Sequence, residues 1–125
     1  MQINQLSGRI VDICIRVHRG LGPGLFESVY EEILCYELKK EQIDYERQVP
    51  VRTYWNGVKM DIGFRADIIV EEKIIVEIKS IEQLAPVHYK QLLTYLKLTD
   101  IKLGLLINFN EALLKNGIRR VVNNL

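Results

Sequence analysis

Phe64-Arg65-Ala66-Asp67-Ile68-Ile69-Val70, Glu71-Glu72-Lys73 and Ile74-Ile75-Val76-Glu77-Ile78-Lys79 make up the stretch on which the reading of this chain turns. Two apolar, β-branched runs flank a short charged connection, the pattern of an antiparallel hairpin at the centre of a sheet. Asp67, Glu77 and Lys79 lie inside those runs, where a buried strand normally excludes charge. An unpaired carboxylate or ammonium is costly to bury, so such groups persist when they are paired or hold a metal. Side chains alternate along a strand, which sends Glu77 and Lys79 to one side and Ile78 to the other. The position of Asp67 depends on the turn. A Glu71-Glu72 turn sets Asp67 opposite Val76 and away from Glu77. A Glu71-Glu72-Lys73 loop, or a bulge of one residue, sets it opposite Glu77. Convergence is the expectation.

With 125 residues the chain is expected to be one domain, spanning 1–125, with room for a true core. Its 48% hydrophobic and 26% charged residues are those of an ordinary globular protein. A net charge of +1 argues against coating nucleic acid by bulk charge. It leaves nucleic acid open, because carboxylates gathered at a metal site mask basic residues elsewhere. Cys14 and Cys35 each sit in an apolar helical pattern and read as reduced core residues. No apolar run approaches a membrane span and no signal peptide opens the chain, so a cytoplasmic protein without membrane association is expected.

Ile3, Leu6, Ile10, Ile13, Val17 and Leu21 recur at helical spacing, which predicts a helix from about Gln5 to Arg19 stopped by Gly20, Gly22, Pro23 and Gly24. A second helix is predicted from about Leu25 to Glu41, with Phe26, Tyr30, Ile33, Leu34 and Leu38 as its stripe. Gln48 to Tyr54 reads as an edge strand, because Pro50 lacks an N–H for a ladder. Asn56-Gly57 is a two-residue hairpin turn that needs positive φ at both positions. Val58 to Val70 then returns as one long strand bent at Gly63, and Lys73 to Ser80 follows. Pro86 suits the first turn of a helix running to about Leu98. Ile101 to Asn108 reads as a further strand and Gly117 to Val122 as a last edge strand. The order α-α-β-β-β-α-β-β predicts an α/β fold, a central mixed sheet with helices packed on it.

Glu27, Asp67, Glu77 and Lys79 are polar where a packed core would refuse them, and Gln91 and Tyr95 share a face of the Pro86 helix. Three carboxylates from separate elements suit a hard divalent cation, and a strand carbonyl such as that of Ile78 would complete the shell. Lys79 beside them would orient a water or offset developing negative charge. That chemistry is phosphodiester hydrolysis. Each residue also has a purely structural reading. Glu27 suits the positive start of a helix, Lys79 would form an ion pair with Glu77 or Asp67, and Tyr95 and Gln91 would be core and surface. These explanations must all hold together, so the metal site is preferred. For His88 and His18 the structural reading is preferred. Arg65 shares a face with Asp67 and would contact phosphate or neutralise the acid. Lys115, Arg119 and Arg120 read as solvated surface.

Asp67 followed by Glu77-Ile78-Lys79 resembles the core motif of the PD-(D/E)xK nuclease superfamily, whose fold is restriction-endonuclease-like. Gln91-Leu92-Leu93-Thr94-Tyr95 is similar to the Q-x-x-x-Y element of RecB-type exonucleases. Gly24-Leu25-Phe26-Glu27-Ser28-Val29-Tyr30 resembles the signature of the GxxExxY proteins, a small branch of that superfamily. Ala66 stands where the motif's name has proline. The resemblance implies Mg2+ or Mn2+ on Glu27, Asp67 and Glu77, Lys79 as the catalytic lysine, and Gln91 and Tyr95 holding the scissile phosphate or the lysine. It implies a metal-dependent nuclease with DNA as substrate, read by its backbone, since nothing resembles a sequence-reading helix or zinc module. The Q-x-x-x-Y element leans towards end processing, and the small size towards a homodimer or added partner. The alternative is a non-catalytic nucleic-acid- or protein-binding module of the same fold. No G-x-x-x-x-G-K phosphate loop supports a small-molecule phosphohydrolase.

Overall fold

A computed structural model of the chain describes residues 1–61 and 63–125. Helix α1 (Ile3–Leu21) buries Leu6, Ile10, Ile13, Cys14 and Val17, the stripe its periodicity demands. It runs past the predicted stop at Arg19, because one Gly inside a helix costs only about 1 kcal/mol. The end comes at Gly22, whose φ of 73° no longer fits a helix and whose N–H returns to the His18 carbonyl at 2.7 Å. Helix α2 (Glu27–Lys40) buries Tyr30, Leu34, Cys35 and Leu38. Phe26, predicted in its core stripe, instead precedes the helix and is 83% exposed.

Strand β1 (Tyr45–Val51) is followed by a short ribbon, β2 (Tyr54–Trp55) and β3 (Val58–Lys59), and then by β4 (Phe64–Val70) and β5 (Ile74–Lys79). Helix α3 (Pro86–Thr99) leads to β6 (Leu103–Asn108), and β7 (Ile118–Val122) closes the chain. The central sheet is mixed and has the order β1-β4-β5-β6-β7, with β5 and β6 parallel and its other neighbours antiparallel. Pro50 does lie on an edge strand, although that strand is Tyr45–Val51 and not Gln48 to Tyr54, and β7 is the opposite edge, as predicted. Asn56 and Gly57 turn the ribbon with φ of 51° and 77°. The long strand predicted from Val58 to Val70 is two strands, and the part of that prediction on Ile62 lies outside the described residues. Gly63 passes so close to the Val51 carbonyl that a Cβ there would collide with it. Only glycine fits that approach.

The sheet lies between two apolar layers. On one face Ile68, Val70, Ile74, Val76, Ile78, Leu103, Leu105 and Ile107 pack with α1 and α2. On the other, Ala66, Ile69, Ile75 and Leu106 meet Leu92 and Leu96 of α3. α3 approaches closely because Gly104 leaves room: a Cβ there would come within 2.8 Å of the Leu92 side chain. Cys14 and Cys35 are free and buried, and burial pushes their thiols up to about 12 and about 11. They stay protonated and act as apolar filler, as the sequence reading expects. Among the described residues no helix is long and apolar enough to cross a membrane.

Candidate active site

The central hairpin takes the three-residue loop. Val70 pairs with Ile74, Glu71 and Glu72 adopt φ of 52° and 58°, and the Lys73 N–H donates to the Val70 carbonyl at 2.9 Å. That register sets Asp67 opposite Glu77, which is the convergent alternative. The ladder itself stops one step short: pairing of β4 with β5 runs from Val70↔Ile74 to Ile68↔Val76 and goes no further. On the other side of β4, the rung that would join Gln48 to Asp67 is missing between Arg47↔Ile68 and Val49↔Ala66. Gln48 has φ of 53°, and its carbonyl accepts from the Arg65 guanidinium at 3.1 Å. β4 also turns over here, since Ala66 packs in the α3 layer while Ile68 and Val70 pack in the α1/α2 layer. The sheet is therefore split at Asp67.

The Asp67 side chain fills the split. Its Oδ2 accepts the Ile78 N–H at 2.8 Å, and Glu77 Oε1 accepts the Asp67 N–H at 3.2 Å. Side-chain oxygens thus replace ladder carbonyls, which keeps buried amides satisfied without closing the strands. The Lys79 carbonyl bonds to the Phe109 N–H on the β6 side. Since the peptide groups alternate, those of Ile78 point the other way, at β4, and its carbonyl faces the gap beside Asp67. Glu77 is 6% exposed. Burial first, and then the charge of Asp67, push its carboxyl up to about 9, while Lys79 draws it down. A carboxylate held in this way gains most from a cation, which removes both penalties. Two carboxylates and a carbonyl at one split are an oxygen donor set that suits Mg2+ or Mn2+. The residues present fit such an ion.

The third predicted carboxylate stands apart. Glu27 is exposed on the first turn of α2 and lines a cleft of about 430 Å³ with Phe26, Ser28, Glu31, Gln48, Asp67, Ile78 and Lys79. Among the described residues no three His, Cys, Asp or Glu side chains are grouped closely enough to ligate one ion. Between Glu27 and Asp67 lies an acid that the sequence reading passed over. Glu31, 5% exposed, accepts from Arg47 Nε at 2.6 Å and from Gln48 Nε2 at 2.7 Å, and Gln48 Nε2 also reaches Asp67 Oδ1 at 3.4 Å. A signal was available. Glu31 is four residues after Glu27, on the same helical face, and sits beside the buried Tyr30.

The turn before α2 is held by Tyr30. Its hydroxyl donates to the Gly22 carbonyl at 2.6 Å and accepts the Leu25 N–H at 3.1 Å, and its ring stacks on Phe109 with centroids 4.4 Å apart. Gly24 takes φ of 93°, a glycine conformation. The Ser80 hydroxyl, just past β5, donates to the Leu25 carbonyl at 2.6 Å, tying the approach to α2 to the end of β5. Tyr30→Phe removes both hydrogen bonds from these part-buried backbone groups, and should cost about 1 kcal/mol in denaturant unfolding. An unchanged midpoint would refute the clamp.

On α3, Tyr95 is half-buried with its ring 5.2 Å from Phe64, and its hydroxyl is pushed up first by burial and then by Glu77 and Asp67. Tyr95 thus lies within electrostatic reach of the carboxylate pair. Gln91 is exposed one turn earlier. His88 Nδ1 accepts the Ala85 N–H at 2.9 Å and caps α3, while His18 Nε2 bonds the Glu111 carbonyl at 2.7 Å. Each thus has one ring nitrogen engaged by a backbone group, and His18 is buried where the sequence reading had only a helix-end residue. Arg119 and Arg120 are exposed on the β7 edge, Arg120 bonded to Asn4 Oδ1 at 2.9 Å, and Lys115 is exposed on the turn before it.

Neither the curated proteins nor the solved structures give a significant match. A family model described as the PD-(D/E)XK nuclease superfamily matches residues 4–121, which takes in every element from α1 to the edge strand β7. The split mixed sheet, the opposed Asp67 and Glu77 with Lys79 on the same strand, and a match across nearly the whole length agree: this chain belongs to the PD-(D/E)XK nuclease superfamily.

Proposed function

We propose that the chain is a divalent-metal-dependent nuclease that hydrolyses phosphodiester bonds of DNA, within the GxxExxY branch of its superfamily. The observation that carries this reading is the register that sets Asp67 against Glu77 at the split in the sheet, with Lys79 two residues on. Asp67, Glu77 and the Ile78 carbonyl would hold Mg2+ or Mn2+. When bound, the ion supplies Lewis-acid polarisation of the phosphate and a more acidic water. Mg2+ retains several waters, so Glu27 can act on it across the cleft without touching it. Lys79 offsets charge developing on the phosphate oxygens, and Tyr95 and Gln91 position the phosphate or the lysine from α3.

End-labelled single- and double-stranded DNA, incubated with Mg2+, Mn2+ or EDTA, tests this. The parent protein should cut in either metal and not in EDTA. Glu77→Gln, which keeps an oxygen for the Asp67 N–H, and Lys79→Ala should each lose about 10²–10³-fold in rate while folding normally. The position of Glu27 away from the pair favours one rival, a non-catalytic binding module of the same fold. DNA binding without cleavage by the parent protein would select that rival and end the nuclease reading.

A further inference from the structure

The β2–β3 ribbon is a two-stranded sheet standing off the central one, and such a ribbon is marginal alone in water. Its side chains do not repay that by burial. Trp55 is 72% exposed, Tyr54 56% and Val58 59%, and none belongs to either core. Lys59 on the ribbon and Arg52 and Arg65 on the residues flanking it are exposed cations, and Asp61 is the one acid among the described residues from Arg52 to Arg65. Aromatic faces set among cations suit a polyanion whose flat rings are accessible.

The ribbon is also continuous with the candidate site. It grows from β1 and β4, the strands that carry Gln48 and Asp67, and their last rung is Val51↔Phe64. Three residues separate that rung from the split, about 10 Å along the strands. Phe64, 40% exposed, touches Tyr95 with ring centroids 5.2 Å apart, and the Tyr95 hydroxyl is within electrostatic reach of Glu77 and Asp67. At the cleft itself Phe26 presents another ring, 83% exposed. Phe64 and Tyr95 thus form a ring pair between the base of the ribbon and the carboxylates.

We infer that the β2–β3 ribbon is a gripping arm for an unpaired nucleic-acid strand, with Trp55 and Tyr54 stacking on its bases while Arg52, Lys59 and Arg65 follow its phosphates. A duplex hides its base faces, and a patch this weakly charged grips a duplex poorly by charge alone. Stacking uses a face that every base has, so the grip is indifferent to sequence. The inference rests on nucleic acid being the substrate of the adjacent site and names the form of it that the site receives.

Trp55 is the chain's one tryptophan, so its emission reports on the arm alone. In EDTA, where no cutting interferes, oligo-dT should quench that emission saturably, and a blunt duplex of equal length should do so far less. By anisotropy of labelled oligo-dT, Trp55→Ala should bind about tenfold more weakly, with Trp55→Phe close to the parent. The unfolding temperature and its rise with Mn2+ should not change in Trp55→Ala. Unquenched emission, equal affinity in Trp55→Ala, or quenching that follows protein concentration without DNA would each overturn the arm. Cleavage with Mn2+ alongside unaltered Trp55→Ala binding would remove the arm and leave the nuclease standing. Stacking on oligo-dT by a protein that cuts nothing would do the reverse.

Discussion

Asp67→Asn should fold like the parent protein, lose its stabilisation by Mn2+ and cut DNA at least about 10²-fold more slowly, whereas Asp67→Ala should also unfold more easily. The difference follows from the two tasks of this side chain. Oδ2 accepts the Ile78 N–H in place of the ladder carbonyl that the split sheet lacks. Asparagine keeps a carbonyl oxygen there and the amide stays satisfied. Alanine leaves a buried N–H without an acceptor, at about 1–3 kcal/mol. The second task is charge: next to Glu77, the Asp67 carboxylate supplies half of the attraction for a cation, and asparagine removes it. Unfolding temperatures with EDTA and with Mn2+, measured beside cleavage rates, separate the two. Retention of both the Mn2+ shift and the cleavage rate in Asp67→Asn would show that the carboxylate at this split does not hold the ion.

The convergence of Asp67 with Glu77 was legible because strand parity leaves few options once the turn is counted. Glu71 and Glu72 both tolerate positive φ here, and the loop takes its third residue from Lys73. The split itself was not legible. It rests on Gln48 at φ of 53°, a conformation that nothing in Arg47-Gln48-Val49 announces and that Arg65 supports from the next strand. For the same reason Glu31 escaped notice: its two partners, Arg47 and Gln48, arrive from β1, and only the folded chain shows that β1 crosses that face of α2. Val58 to Val70 read as one strand because its composition is continuous. The break depends on Gly63 passing the Val51 carbonyl, a tertiary approach. Tyr30 was placed in the core correctly, but its hydroxyl's hold on Gly22 and Leu25 is a fact of geometry.

Without metal, the protein should become steadily less stable as pH rises from about 4.5 to about 9, and Mn2+ should cancel most of that loss. Glu77 carries the effect. Its carboxyl ionises near 4.5 when unfolded and is pushed up to about 9 when folded, by burial first and by Asp67 next. Between those values the folded state binds a proton that the unfolded state has released. Stability therefore falls with pH across that window, and the contribution is fully present only below it. The other displaced groups act elsewhere. Glu41, drawn down by Arg9 and Arg16, acts below 4.5, and the raised thiols of Cys14 and Cys35 act above 9. A divalent cation competes with the proton for the same oxygens, so it binds more tightly as pH rises. The Mn2+ shift in unfolding temperature should accordingly be larger at pH 8 than at pH 5. Glu77→Gln, neutral at every pH, should flatten the apo profile and abolish the Mn2+ shift together. A parent profile already flat between pH 5 and 8.5, or a Glu77→Gln profile that keeps the parent's slope, would mean that the strain at the split resides in some group other than this carboxylate.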